Sequence, residues 1–101
     1  MKIIEHFVGG KKHPGNSERF APVFNPATGE ETSKVRLGSI EDLNKAVDIS
    51  QEAFLNWSNT PPLQRARVLF KFKELLEKNA DELIKIIVSE HGKVYEDAKG
   101  S

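Results

Sequence analysis

Leu37-Gly38-Ser39-Ile40-Glu41-Asp42-Leu43 is the stretch where the chain changes character, and its reading decides the fold. Ser39 has the short hydroxyl side chain that serves a helix N-cap, and Asp42 stands three residues on as its capping-box partner. N-terminal to Gly38 the chain is rich in Gly, Pro, Asn, Ser and Thr, with short β-favouring runs. C-terminal to it, glycine is absent until Gly92 and apolar residues recur at helical spacing. Residues 1–38 therefore read as strands and turns and residues 39–101 as a helical segment. The fold class is α+β, a short N-terminal antiparallel β element followed by two to three helices.

Outward from Ser39 toward the N-terminus, Glu31 to Leu37 alternates Thr32, Lys34 and Arg36 against Ser33, Val35 and Leu37. That period of two predicts a strand with one face covered. Asn25-Pro26-Ala27-Thr28-Gly29-Glu30 reads as a tight turn. Pro26 presets its own φ and biases Asn25 away from the α region, and Gly29 supplies a positive φ. Phe20 to Phe24 is the strand on the other side of that turn. Lys11 to Arg19, with Pro14, Gly15, Asn16 and Ser17, marks a loop. Ile3 to Val8 reads as a strand closed by Gly9-Gly10.

Toward the C-terminus, Leu43, Ala46, Val47, Phe54 and Trp57 fall on one helical stripe, with Ser50 between them. Thr60-Pro61-Pro62 restarts the chain, Thr60 as a cap and Pro61 at the first helical position, where the amide hydrogen it lacks would be unpaired anyway. Val68, Leu69, Phe72, Leu75 and Leu76 form the next stripe. Asn79-Ala80-Asp81-Glu82 predicts a break or bend near Lys78, with Asn79 as a new cap and Glu82 at its third position. Gly92 suits a left-handed C-terminal residue. In the third segment Leu83, Ile84, Ile86, Ile87 and Val88 cover most of the helix circumference, and Phe70 lies opposite its own helix's stripe. Helices apolar on so many sides are normally buried on several of them, which predicts neighbours that a small β element and two helices do not supply.

The bulk properties exclude several classes of function. At 101 residues the chain has the size of one small domain, and its 15 basic residues balance 15 acidic ones to a formal net charge of +0. That balance removes the case for nucleic acid or an anionic membrane as partner. Lys71, Lys73 and Lys78 alternate with Glu74 and Glu77 and read as a solvated helix face. The chain has no cysteine, which excludes disulfides, thiolate zinc sites and a thiol nucleophile within it. The start, Met1-Lys2-Ile3-Ile4-Glu5-His6-Phe7, has no apolar h-region and no stretch reaches transmembrane length, so a cytoplasmic protein is expected.

No catalytic, cofactor-binding or metal-binding residue emerges from the chemistry. His6, His13 and His91 are far apart, lack metal-ligand spacing, and read as surface or terminal histidines. Gly9-Gly10-Lys11-Lys12 lacks the spacing and the following helix of a phosphate loop, and Gly92-Lys93 follows a helix instead of opening one. The serines have no nucleophile-elbow context. Glu30-Glu31, Glu41-Asp42 and Asp81-Glu82 sit at turn or helix starts, where negative charge complements the helix dipole. Trp57 reads as a core residue.

Several blocks, in order, resemble the start of the aldehyde dehydrogenases. They are His6-Phe7-Val8-Gly9-Gly10-Lys11, Asn25-Pro26-Ala27-Thr28-Gly29-Glu30, the helix Ala46–Trp57 with its Ala-Phe-x-x-Trp ending, and Glu90-His91-Gly92-Lys93. Ala21-Pro22-Val23-Phe24, Thr60-Pro61-Pro62 and Arg65-Ala66-Arg67-Val68-Leu69-Phe70 make the resemblance strongest to the methylmalonate-semialdehyde type. The resemblance implies that full-length relatives are NAD-dependent, oxidise the semialdehyde through a cysteine thioester and pass the acyl group to coenzyme A. No position here matches the family's nucleophilic cysteine, its glutamate or its NAD-contacting residues. By resemblance, then, the 101 residues are one partial domain, an incomplete portion of an NAD-binding domain and a truncated N-terminal fragment inactive alone. The expected partner is the remainder of the dehydrogenase or a second copy, through apolar helix surface. The alternative is a non-catalytic interaction or self-association module from a split or decayed gene. A small helical binding protein unrelated to the dehydrogenases is disfavoured by the N-terminal turn motifs.

Overall fold

A computed structural model describes residues 1–101. In order it contains β1 (Lys2–Ile4), β2 (His6–Val8), β3 (Lys11–His13), β4 (Phe20–Phe24), β5 (Glu31–Arg36), α1 (Ile40–Trp57), α2 (Pro62–Lys78), α3 (Ala80–His91) and α4 (Tyr95–Lys99). The α+β class is as expected. The chain divides into two compact units, residues 1–24 with 31–59, and residues 25–30 with 60–101. The strands thus share a unit with α1 and not with the other helices.

In the first unit β4 and β5 pair antiparallel, from Phe20 opposite Arg36 to Val23 opposite Ser33, with a bulge before Phe24. Pro22, which has no amide hydrogen to donate, lies on an edge strand of the sheet, where its loss is tolerated. The strand expected over Ile3–Val8 divides at Glu5. Its first part, β1, pairs with β5 in parallel, Lys2 opposite Ser33 and Ile4 opposite Val35, which gives the order β1-β5-β4. Ser33 and Val35 on central β5 are covered, as their alternation predicts. The parallel strand adds to the antiparallel element and leaves no local trace in the sequence.

The second part, β2, forms a hairpin with β3 across Gly9 and Gly10. Both glycines have positive φ, 64° and 79°, as the favoured two-residue hairpin turn requires. The loop expected over Lys11–Arg19 therefore begins as strand. Two glycines between β-capable runs carry that signal, although Lys11-Lys12-His13 itself has little strand propensity.

The Ser39 cap forms as read. Ser39 Oγ accepts the Asp42 amide hydrogen, and Asp42 Oδ2 accepts that of Ser39, both at 3.0 Å. Of the expected α1 stripe only Ala46 is covered. The half-buried residues are Asp42, Ala46 and Ile49, and Ile49 Cγ2 lies 3.6 Å from where a Cβ on Gly9 would stand. Leu43, Val47, Phe54 and Trp57 are exposed, Leu43 at 63% and Phe54 at 64%. Trp57 is therefore not a core residue of these 101 residues. The hairpin covers α1 around Asp42, Ala46 and Ile49, and Val47, Phe54 and Trp57 remain exposed.

The second unit repeats this pattern. Helix α2 starts one residue later than read, with Pro61 at the cap position and Pro62 as its first residue, and no side chain caps it. Val68, Leu69, Phe72, Leu75 and Leu76 are all exposed, as is Phe70 opposite them. The break near Lys78 falls at Asn79, but Asn79 does not cap α3. Its side-chain amide donates back to the Leu75 carbonyl at 2.8 Å, which closes α2 instead. The apolar residues buried in the whole chain are Ile84 at 6% and Ala98 at 1%, on α3 and the unanticipated α4. Those two helices pack together, and Tyr95 Oη donates to Asp81 Oδ1 at 3.0 Å between them. Gly92 ends α3 with φ 75° and donates its amide hydrogen to the Val88 carbonyl. No helix is long and apolar enough to cross a membrane.

Candidate docking site

The first unit has a cleft of about 540 Å³ between the β2–β3 hairpin and the start of α1. Hairpin register places His6 directly opposite His13, and both line the cleft. Both are half-buried, not the surface histidines that their separation in sequence suggested. His13 Nδ1 accepts the Gly15 amide hydrogen at 3.1 Å, which turns the chain back after β3. His6 Nε2 is buried without a hydrogen-bond partner, 3.8 Å from Asp42 Oδ2.

Gly15 is the point on which the surrounding side chains converge. With φ at 74°, it brings its backbone so close that an added Cβ would stand 3.1 Å from His6 Cδ2, Arg36 Cδ and Asp42 Oδ2. Arg36 lies over the Phe20 ring at 4.6 Å and donates to the Ser17 carbonyl. Asn16 donates to Glu41 and accepts from Ser39 Oγ. The loop is thus fastened to the capping box of α1 by polar bonds instead of apolar burial. Asp42 is held below the usual carboxylate range, chiefly by the Ser39 backbone amide, with desolvation opposing and the charge of His6 contributing least. Sequence spacing gave no indication of this convergence. Its signals are a glycine after His13-Pro14 and a capping aspartate, and only tertiary structure connects them.

On the open side of the cleft, Arg19 Nη2 donates to the Gly38 carbonyl at 2.9 Å and Lys45 extends from α1. Neither side chain has a carboxylate within ion-pair distance. Phe7, Ile40 and Leu43 border the same cleft and are exposed. Such a surface can receive a chain segment, and the Ser39 hydroxyl that lines it donates to Asn16 Oδ1.

The other residues weighed from sequence serve local structure. His91 occupies the last turn of α3, and Asp81 pairs with Lys85 Nζ at 3.0 Å. Ser50 donates to the Ala46 carbonyl. Within the second unit, the turn Asn25–Glu30 is closed by the Asn25 amide to the Glu30 carbonyl at 2.9 Å and by Asn25 Oδ1 accepting from Ala27. The Pro26 ring of that turn lies against Gly92.

Comparison with known proteins gives this arrangement a context. The model of the aldehyde dehydrogenase family matches residues 13–101. The malonate-semialdehyde dehydrogenase of Pseudomonas aeruginosa is 47% identical over 99% of this chain, and malonate-semialdehyde dehydrogenase 3 of Geobacillus kaustophilus is 44% identical over 98%. This chain spans 20% of the length of each. Among solved structures, a Sinorhizobium meliloti protein assigned as a methylmalonate-semialdehyde dehydrogenase and complexed with NAD superposes with a TM-score of 0.97 at 45% identity, over 99% of this chain and 20% of that one. The methylmalonate-semialdehyde dehydrogenase of Oceanimonas doudoroffii superposes at 0.95 with 47% identity and the same coverage. An α+β segment with a Gly-Gly hairpin, an Asn-Pro-Ala-Thr-Gly turn and outward apolar helices, matched by the family model over most of its length, belongs to the aldehyde dehydrogenase family.

Proposed function

We propose that the chain is the N-terminal scaffold of an NAD-dependent, coenzyme A-acylating malonate- or methylmalonate-semialdehyde dehydrogenase. It has no turnover of its own, and its apolar helix faces seat the remainder of the enzyme. The reading is supported by the stripe of α1, Leu43, Val47, Phe54 and Trp57, whose large apolar side chains are all left exposed. These four side chains offer on the order of 400 Å² of apolar surface, within the size range of functional patches. At ~25 cal/mol per Å², covering them contributes on the order of 10 kcal/mol before ordering costs. The relatives are about five times longer than this chain, so their other residues are the natural cover. NAD and coenzyme A would then be bound by that remainder.

A chimera tests this. The chain replaces the matching stretch of the P. aeruginosa enzyme, and NADH is followed with malonate semialdehyde, NAD and coenzyme A. The chimera turns over and the 101 residues alone do not. NADH production by the chain alone, or an inactive, unassembled chimera, counts against the proposal. Self-association through the same stripes is the second reading. Light scattering separates the two: a stable oligomer of the chain alone favours it, and a monomer disfavours it.

A further inference from the structure

The cleft shares Leu43 with the α1 stripe and differs from it in carrying unbalanced charge. Its one carboxylate, Asp42, is turned inward to the Ser39 amide and to His6. Its two open-side cations, Arg19 and Lys45, have no acidic partner, although the chain as a whole has as many acids as bases. Between those cations the surface is apolar, with Phe7, Ile40 and Leu43 exposed. A bound segment therefore has to place an apolar side chain in the cleft and an anion at its edge.

We propose that this cleft receives a carboxylate-bearing segment of the dehydrogenase remainder, with an apolar residue in the cleft and an Asp or Glu paired to Lys45 and Arg19. This rests on the scaffold reading above and assigns one docking contact within it. Complementary charge at the edge of an apolar seat fixes the register of docking and excludes mispaired arrangements. Lys45 is the more informative residue, since its side chain makes no ion pair within the chain. Arg19 also holds the Gly38 carbonyl.

The test uses the chimera already described. Lys45→Glu and the double change Arg19→Glu/Lys45→Glu place like charges against the incoming acid. Each should shorten the chimera's heat-inactivation half-life, by about tenfold for the double change, because opposed charges at an interface cost far more than a lost surface pair. The effect should shrink at high salt. Lys45→Arg should behave as wild type. The thermal melt of the 101-residue chain alone should move only slightly with Lys45→Glu, which stands beside Glu41 and Asp48 on α1. A wild-type chimera that fails to assemble sinks the scaffold reading and this contact with it. An active chimera indifferent to charge reversal sinks the contact alone. So would Lys45→Arg costing as much as Lys45→Glu, or an isolated chain that binds millimolar inorganic phosphate at Lys45 while the chimera ignores the change.

Discussion

Gly92 and Gly29 have the same φ, 75°, but different surroundings, and this makes them a matched pair for one prediction. Alanine at either position must occupy the left-handed region, which costs roughly 1–2 kcal/mol. At Gly29 the new methyl meets nothing within 4 Å. At Gly92 it would stand 2.9 Å from Pro26 Cγ and 3.6 Å from Pro26 Cβ. A proline ring can yield only by repuckering or by a shift of the turn that holds it, and overpacking of this kind costs a further ~1–3 kcal/mol. Gly29→Ala should then lose about 1–2 kcal/mol and Gly92→Ala about 2–5. Urea unfolding followed by far-UV circular dichroism measures both, and hydrogen exchange of the α3 amides locates the loss. Adding Pro26→Ala to Gly92→Ala should recover most of the difference, a coupling of about 1–3 kcal/mol in a double-mutant cycle. Equal losses at the two glycines, or a cycle with no coupling, would refute the packing of Pro26 on the end of α3.

Ser39→Ala removes the acceptor for the Asp42 amide and should destabilise the first unit by about 1 kcal/mol, read as urea midpoint. Asp42→Asn has a pH signature. Since the folded carboxyl lies below its ordinary value of 3.8, its stabilisation is complete above that pH and disappears as pH falls through the folded value. The difference between wild type and variant should be flat near neutrality and close in acid; a difference constant down to strong acid would contradict the assignment. Tyr95→Phe removes the bond to Asp81 and should speed amide exchange in α4. Because the Tyr95 phenol is raised above 10.0, first by that bond, the contribution is present below this pH and is lost as pH rises through the folded value. Phe54→Lys should change the stability of the chain alone by no more than ~0.5 kcal/mol, since the ring is exposed, while abolishing assembly of the chimera. A large loss in the isolated chain would mean that the α1 stripe is covered after all.

What was legible in the sequence was local. The Ser39–Asp42 box, the Asn25–Glu30 turn, Gly92 and the alternation on β5 each combine a residue type with a nearby backbone need, and each forms where the sequence places it. The errors have two physical origins. Asn79 has a side chain able to bond in either direction, and it joins its own backbone amide on the Leu75 carbonyl. The β1–β5 pairing and the meeting of His6 with Asp42 join residues distant along the chain, which no window of sequence contains. The stripe on α1 falls on a helix as read, but of its members only Ala46 is half-buried and Trp57, read as core, is exposed. Amphipathicity shows that a face is to be covered but not by which part of a protein, and here the hairpin takes the smaller face around Ala46.

The parallel pairing of β1 with β5 also sets an order of events. The hairpins β2–β3 and β4–β5 close over short loops, whereas β1 reaches β5 only across about thirty residues of intervening chain, a slower closure with little to gain until β5 is in place. Lys2–Ile4 should therefore be the last strand to join on refolding and the first to leave under tension applied at Met1. A bulky group fused directly before Lys2 would act on that final step and leave both hairpins to form at their own rates.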